Sequence, residues 1–159
     1  MPKLTINLVV QNGERYIPFL MSSLKAQSFK DWEMIIVDNA STDRTVELLE
    51  AELKNSGFSY RLIRNSANLG FSVGHNQAFA EIKTPYFLLQ NVDMYLLPNV
   101  LEKIVAFIDT HPDAAAVAPR LMRRGTPRPG NQVQDPRPGA PTRACQRRKQ
   151  LMPAHAPFE

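Results

Sequence analysis

Two aspartates stand where apolar runs of the sequence give way to polar residues. Asp38 ends the run "EMIIVD", and Asp93 follows "PYFLLQNV". An ionised carboxylate is very rarely buried without a partner, so each is expected to meet a cation, a hydrogen-bond donor or water. Carboxylate oxygens accept hydrogen bonds from N–H groups and suit hard divalent cations. These two residues could therefore recognise an N–H group or a metal ion.

Polar segments follow four apolar runs in the same way: "QNG" (11–13), "VDNASTD" (37–43), "RNSANLG" (64–70) and "QNVD" (90–93). In parallel α/β sheets, ligands bind outside the carboxyl ends of the strands, where such loops begin. For any single segment, the alternative explanation is that strand ends need turn formers. Four such segments together, two of which carry a carboxylate, favour a binding site at one edge of a sheet.

The elements that must position these residues follow from the pattern up to residue 121. Short β-rich runs alternate with helical stretches, which is typical of a mostly parallel α/β sheet flanked by helices. The five predicted strands are 4–10, 33–39, 59–65, 85–91 and 114–121. The predicted order is therefore β-α-β-α-β-α-β-α-β.

Four helices are predicted between the strands, each with one apolar face. The first and last carry stripes at helical spacing: Ile17, Leu20, Met21 and Leu24, then Leu101, Ile104, Val105 and Ile108. The second starts near Thr45 and can be capped by Ser41, Thr42 or Asp43, with Val46, Leu49 and Leu53 facing inward. The third, near 71–82, is expected to direct Ala78, Phe79 and Ile82 inward.

The chain length and composition bound the class of protein. At 159 residues, one domain with a substantial core is expected. No stretch approaches the ~18 apolar residues of a membrane span, and the N-terminal sequence does not resemble a signal peptide. We therefore expect a cytoplasmic location, with peripheral membrane contact left open. A single cysteine, Cys145, excludes an internal disulfide and a multi-cysteine metal site.

The basic character of the chain is confined to residues 122–159. Residues 1–121 hold 11 Lys and Arg against 13 Asp and Glu, whereas 122–159 hold 8 against 2. The second segment also contains 7 of the 13 prolines and shows no apolar periodicity. We therefore predict an ordered part, 1–121, and a disordered Pro/Arg-rich tail, 122–159.

The glycine pattern excludes two common nucleotide-binding motifs. The segment "QNGERYIP" after the first strand lacks the G-x-G-x-x-G of dinucleotide-binding domains, and no G-x-x-x-x-G-K-[ST] is present. The charge of a bound phosphate would then be balanced by a divalent cation, which prefers oxygen ligands. Asn91 and Asp93 suit that role, because residues two apart on an extended segment point to the same side.

Four segments in succession resemble the nucleotide-binding half of family 2 glycosyltransferases, and more narrowly their rhamnosyltransferase-like branch. They are "EMIIVDNASTDRTVELL" (33–49), "RNSANLGFSVGHNQAF" (64–79), "YFLLQNVDMYLLPNVLEKIVAF" (86–107) and "HPDAAAVAPRL" (111–121). The resemblance covers about residues 4–121, with the motifs in the family's order. It implies the GT-A fold, an α/β sandwich that binds a nucleotide-diphosphate sugar.

The resemblance also implies roles for individual residues. Asp38 matches the carboxylate that accepts a hydrogen bond from the nucleobase imide, which selects uracil or thymine. Asp93 lies in the D-x-D-type element "NVD" and matches the ligand that binds Mg²⁺ or Mn²⁺ across the diphosphate. The other implied nucleotide-sugar-binding residues are Asn12, Asn39, Asn68, Gly70, His75, Asn76 and Asn91. For His75, the alternative is a histidine on the helix surface.

The sequence departs from the family pattern at several positions. Gln11 stands where relatives usually have an aromatic residue, and Val92 replaces a common proline. The family's general base, an Asp or Glu beyond the fifth strand, has no match, since the acidic residues after Leu121 are Asp135 and Glu159, in the Pro/Arg-rich tail. The catalytic base is therefore unknown. The tail is explained either by a frameshift or truncation, or by a natural basic segment that binds anionic lipid or nucleic acid.

The leading hypothesis is a metal-dependent glycosyltransferase, represented by its donor-binding half and catalytically incomplete as this chain. Its partners would be a UDP- or dTDP-linked sugar and a saccharide or lipid-linked acceptor, with nucleic acid not expected. The rival hypothesis is a non-catalytic nucleotide-sugar-binding module, or an interaction protein that works through its basic tail. A nucleotidyltransferase is disfavoured, because such enzymes begin with a Gly-rich, basic first loop.

Overall fold

The computed structural model describes residues 1–54 and 56–121. The chain divides into two compact units, Met1–Phe107 and Ile108–Glu159. The first unit contains the sheet. The described residues of the second contain the end of the last helix and a turn in which the Ala114 amide donates to the His111 carbonyl at 2.9 Å. The tail, residues 122–159, lies outside the described residues, so its expected disorder stays a prediction.

Strands and helices alternate along the described chain as β1 (Leu4–Val10), α1 (Ile17–Lys25), β2 (Trp32–Asp38), α2 (Thr45–Lys54), β3 (Tyr60–Arg64), α3 (Phe71–Phe79), β4 (Tyr86–Gln90) and α4 (Val100–Thr110). The strands form one sheet in the order β3-β2-β1-β4. Every neighbouring pair is parallel, and Leu8 of β1 lies opposite Ile36 of β2 and Gln90 of β4. The predicted parallel α/β architecture is confirmed.

The sheet is covered by helices on both faces. One face, with Ile6 and Leu8 of β1 among its residues, packs in the main core with buried leucines of α1, α2 and α4, among them Leu20, Leu49 and Leu101. The opposite face forms a smaller core in which Ala78 of α3 lies against Ile35 and Val37 of β2. Strands buried on both faces read as continuous apolar runs, which is why β1 and β2 were readily predicted.

The predicted strand 114–121 is wrong, because these residues take irregular backbone in the structure. The segment "AAAVAPRL" is rich in alanine, which is depleted in strands. Pro119 has no N–H to donate to a ladder.

Within residues 1–54 and 56–121, no helix is long and apolar enough to cross a membrane.

The third helix is shorter than predicted, and one of its side chains faces the other way. It ends at Phe79, because the chain then tightens into single turns in which the Glu81 and Ile82 amides donate to the Ala78 and Phe79 carbonyls. Ala78 and Ile82 pack inward as predicted. Phe79, predicted to be buried, is 54 % exposed, and its ring meets Phe87 of β4 edge-on at 5.1 Å.

Candidate functional site

The four loops that follow the strands lie at one edge of the sheet, because all the strands are parallel. The loop after β1 is tied to the loop after β2 through the backbone. The Asn12 amide donates to the Ser41 hydroxyl at 3.0 Å, the Thr42 amide donates to the Asn12 side-chain oxygen at 2.8 Å, and the Gly13 amide donates to the Thr45 hydroxyl at 2.7 Å. Asn12 adopts φ 50°, which asparagine tolerates better than most residues. Its side-chain oxygen therefore orders the two loops.

A carboxylate pair makes a second connection between the same loops. The Glu14 amide donates to Asp43 at 3.2 Å, and the Arg44 amide donates to the Glu14 carboxylate at 3.0 Å. Asp43 also accepts from the Thr45 amide at the first turn of α2, as the capping prediction expected for this segment. Burial opposes ionisation of Asp43, but hydrogen bonds from Thr45 and from the Glu14 amide hold its pKa below the ordinary value.

Asp38 lies at the end of β2 and is 2 % exposed. Among the described residues, its carboxylate accepts only from the Ser41 amide, which lies 3.3 Å from each oxygen. The turn that aims this amide passes through Ala40 at φ 62°, a conformation that costs a non-glycine residue about 1–2 kcal/mol. A carboxylate offers about four acceptor sites, so one long, shared hydrogen bond leaves most of its capacity unused. Asp38 can accept a further N–H.

The next residue, Asn39, is buried at 3 % exposure but is already saturated with hydrogen bonds. Its side chain bonds Asn65, Asn68 and the backbone of Leu69 and Gly70. Asn39, which follows β2, and Asn68, in the loop after β3, are thus brought together as a structural pair. Asn39 was predicted to contact the nucleotide sugar, but its side chain has no hydrogen-bonding capacity left for one.

Gly70 is the N-cap residue of α3 and adopts φ 84°, a left-handed conformation that favours glycine. The helix has no side-chain cap, so its first free amides point toward the loop edge. Asn76, further along α3, is exposed. The structure places Gly70 at the predicted edge, whereas Asn76 lies within the helix.

His75 lies beside the middle of β1 and away from the loops. It is 7 % exposed, its Nδ1 is 3.0 Å from the Asn7 side-chain oxygen, and the Asn7 amide group donates to the His75 carbonyl at 3.2 Å. Its Nε2 is buried and has no hydrogen-bond partner in the described part of the chain. Burial lowers the pKa of His75. The alternative that His75 lies on the helix surface is therefore wrong. Its ring faces β1 of the sheet and does not face the loop edge where the ligand is predicted to bind.

Asn91, Val92 and Asp93 form a turn immediately after β4. The Met94 amide donates to the Asn91 carbonyl at 3.2 Å, so the expected extended conformation of this segment is wrong. Buried Gln90 fixes the turn, since its side-chain nitrogen donates to the Asn91 and Met94 carbonyls at 2.9 and 2.8 Å. The reason is that Gln90 needs partners for its buried amide and finds them in the turn that follows.

Asp93 is exposed on this turn, and among the described residues it makes no hydrogen bond or ion pair. Because Asp93 is exposed, water, which is one of the three partners expected for it, can solvate it, so its position alone does not require a cation. A free carboxylate beside the half-buried Asn91 is nevertheless a suitable donor set for a hard cation. In the part of the chain that is described, no group of three His, Cys, Asp or Glu side chains is assembled. A cation here would need further oxygens from a ligand or water.

A close approach brings this turn against the first loop. A Cβ atom on Gly13 would lie 2.7 Å from Val10 and 3.0 Å from Val92. The sequence singled out the segments 11–13 and 90–93 but did not predict the roles of Gly13 and Gln90 within them. Gly13 is a lone glycine after a strand, and Gln90 is a polar residue at the end of an apolar strand. Their importance depends on contacts between distant segments, which a local pattern does not contain.

Comparison with known proteins places these features in a family. The sequence model described as "Glycosyl transferase family 2" matches residues 5–158. The chain is 31 % identical over 110 residues to the putative glycosyltransferase EpsE of Bacillus subtilis, covering 69 % of this chain and 40 % of that protein. It is 35 % identical over 107 residues to the teichoic acid poly(glycerol phosphate) polymerase of Staphylococcus epidermidis, covering 65 % of this chain and 15 % of that one.

Among solved structures, the chain is similar to S. aureus TarS 1–349 in complex with UDP-GlcNAc. The TM-score is 0.64 and the identity 28 %, and the match covers 69 % of this chain and 32 % of that one. The chain thus spans less than half the length of each of these relatives. The parallel sheet with helices on both faces is the GT-A-like fold of its structural neighbours. The chain belongs to glycosyltransferase family 2.

Proposed function

We propose that the loop edge of the sheet binds the nucleotide of a UDP- or dTDP-linked sugar, with Asp38 recognising the base. The supporting observation is the state of the Asp38 carboxylate, which is buried yet, within residues 1–54 and 56–121, accepts only one long, shared hydrogen bond. The imide N–H of uracil or thymine can supply a further donor, whereas cytosine presents an acceptor at that ring position. The similar TarS structure was solved with UDP-GlcNAc, which supports a uracil nucleotide here.

The diphosphate would lie toward the turn after β4. Asp93 and Asn91 would hold a Mg²⁺ or Mn²⁺ ion there together with diphosphate oxygens, because the turn supplies only these two suitable side chains. Such an ion, when bound, stabilises the negative charge of the leaving nucleoside diphosphate. Asp93 is exposed and pairs with no residue in the described part of the chain, which supports this role.

The reaction we propose is transfer of the sugar to a hydroxyl of a saccharide or lipid-linked acceptor, in the cytoplasm. The acceptor oxygen forms a bond to the anomeric carbon as the bond to the diphosphate breaks, and the nucleoside diphosphate leaves with the electron pair. A base must take the acceptor proton. That base is not identified in this chain. Within the family, the order of the motifs in 33–121 supports the rhamnosyltransferase-like branch.

A second candidate is nucleotide-sugar binding without transfer. It rests on the same Asp38 environment, which can recognise a nucleotide and does not by itself require transfer. The two candidates share the nucleotide site and differ only in turnover. Incubation of the chain with UDP- or dTDP-sugars, Mn²⁺ and hydroxyl acceptors separates them, since the second candidate predicts binding with no transfer product.

Calorimetric titration of UDP into the parent chain and into Asp38→Asn tests the site. Asparagine keeps the size of the side chain and can still accept from the Ser41 amide, but it loses the negative charge and one acceptor oxygen. We expect the UDP affinity to fall about tenfold or more, as expected for loss of a charge-assisted hydrogen bond. Ser66→Ala, an exposed serine in the loop after β3, is the matched control. Equal UDP affinity in the parent and Asp38→Asn would contradict the proposal.

A further inference from the structure

We infer that Asn39 is a positioning residue for nucleotide recognition, acting on Asp38 without touching the ligand. The inference rests on the proposed role of Asp38. It replaces the expectation that Asn39 itself binds the nucleotide sugar. Its basis is a chain of side-chain amides that connects three of the loops at the sheet edge: Gln11, Asn39, Asn65, Asn68 and Gln77.

The hydrogen bonds of Asn39 use its full capacity. Its side-chain nitrogen donates to the Asn68 oxygen and to the Gly70 carbonyl, each at 3.0 Å. Its side-chain oxygen accepts from the Asn65 side chain at 3.0 Å and from the Leu69 amide at 3.2 Å. An asparagine side chain offers two donor hydrogens and two acceptor lone pairs, so none is left for a ligand. The 3 % exposure of Asn39 agrees with an internal role.

Asn65 connects the Asn39 side chain to Asp38 through hydrogen bonds. Its backbone amide donates to the Asp38 carbonyl at 2.9 Å, while its side chain donates to Asn39. On the other side, the Asn39 amide donates to the Val10 carbonyl of β1 at 2.8 Å. The Asp38–Asn39 dipeptide is therefore held from both neighbouring strands. Loss of the Asn39 side chain would remove its hydrogen bond with Asn65 but keep the backbone hydrogen bond from Asn65 to Asp38, so the Asp38 carboxylate would be held less firmly from the β3 side.

The outer residues of the amide network, Gln77 and Gln11, form further hydrogen bonds that connect the loops. Asn65 and Gln77 of α3 exchange two hydrogen bonds, at 2.8 and 3.0 Å. The Asn68 side chain donates to Gln11 in the loop after β1 at 2.7 Å. Because β2 lies between β1 and β3, this last bond spans the carboxyl end of β2. Amide networks in which every member is satisfied rigidify the segments they join.

A double-mutant cycle tests the inference with the parent chain, Asn39→Ala, Asp38→Asn and the double variant. UDP and CDP affinities are measured by calorimetry, and stability is measured by thermal unfolding. If Asn39 acts through Asp38, Asn39→Ala lowers UDP affinity about tenfold in the parent and leaves it unchanged in the Asp38→Asn background. It also brings the UDP and CDP affinities together. A purely structural role would not move that ratio.

Thr5→Val is the matched control, because it removes part-buried side-chain hydrogen bonds to Glu33 and Thr84 from the first half of β1. It should lower stability and leave the UDP:CDP affinity ratio unchanged. If Asn39→Ala does not fold, Asn68→Ala removes one Asn39 partner and should shift the ratio in the same direction. An equal fold loss of UDP affinity in both Asp38 backgrounds, or an unchanged ratio, overturns the inference. Absence of UDP binding by the parent, or no effect of Asp38→Asn, overturns the proposed function as well and is recognised from those two proteins alone.

Discussion

At the scale of single residues, the two aspartates at the carboxyl ends of apolar runs, Asp38 and Asp93, have different environments. Asp38 is buried with one weak donor, whereas Asp93 is exposed and unpaired among the described residues. A buried carboxylate with unused acceptor capacity favours binding of a donor group, because further hydrogen bonds lower its desolvation cost. An exposed carboxylate is already solvated by water, so it gains little binding free energy from a further donor unless a cation binds with the ligand. Asp38 is thus suited to recognise a nucleobase, and Asp93 is suited to bind a metal ion beside a diphosphate.

The prediction for Asp93 separates a metal ligand from a turn former. Asp93→Asn should remove most of the Mn²⁺-dependent gain in UDP or dTDP affinity, as Asp93→Ala should, because a hard divalent cation requires the charge. Its thermal stability should stay within about 0.5 kcal/mol of the parent, as is usual for an exposed position. Calorimetry with and without Mn²⁺ provides the measurement. Undiminished Mn²⁺-dependent binding by Asp93→Asn would exclude the metal role.

The prediction for His75 concerns pH. Burial lowers its folded pKa below the unfolded value of about 6.5, so the unfolded chain binds more protons in the interval between the two. Stability is therefore complete above about pH 6.5 and falls as the pH drops through that interval. His75→Gln cannot titrate and keeps an amide near Asn7. Urea unfolding between about pH 7.5 and pH 5.5 should show a larger stability loss in the parent than in His75→Gln. Equal losses would show that His75 does not titrate in this way.

At the scale of elements, close contacts between the loops set the geometry of the edge. Gly13→Ala should destabilise the chain by about 1–3 kcal/mol, because the new Cβ would meet Val10 at 2.7 Å and Val92 at 3.0 Å. Gly57→Ala is an informative comparison, since its Cβ would meet no atom within 4 Å and only its φ of 77° opposes the change. Chemical denaturation of both variants provides the measurement. A Gly13→Ala chain as stable as the parent would show that the two loops are not held against each other.

The sequence predicted β1 to β4 and the edge at which their loops meet, which parallel pairing fixes. β1 and β2 are buried on both faces and read as continuous apolar runs, whereas the partly exposed β3 and β4 are marked by aromatic or β-branched residues. It failed at 114–121, where an apolar run contains alanines and Pro119 and no strand forms. It also failed to predict the partners of the polar side chains. Asn39 and Asn68 meet from 29 residues apart, and His75 meets Asn7 from 68 apart, so local patterns carry no record of these pairs.

At the scale of the whole molecule, one face of the described sheet is only partly covered. α3 packs over β1 and β2, whereas Phe87 and Leu89 of the edge strand β4 are 48 % and 53 % exposed beside Phe79. Contiguous exposed apolar surface beside a strand edge that pairs with no other described strand favours association. The double variant Phe87→Ser/Leu89→Thr should bind less of an apolar fluorescent dye than the parent and remain monomeric at higher concentration. Phe19→Ser, at a 52 % exposed position on α1, is the control. Dye binding that falls equally in the control would exclude this face as the source.

The most direct test of the central claim is a crystal structure of the chain with UDP. The uracil N3 is expected to lie about 2.7–3.2 Å from an Asp38 carboxylate oxygen, with the hydrogen bonds of the Asn39 side chain unchanged. Because Asp38 is 2 % exposed, the 40–42 segment beside it is expected to shift to admit the nucleobase. A complex in which N3 faces another group, or in which Asp38 keeps only its Ser41 contact, would show that Asp38 does not recognise the nucleobase.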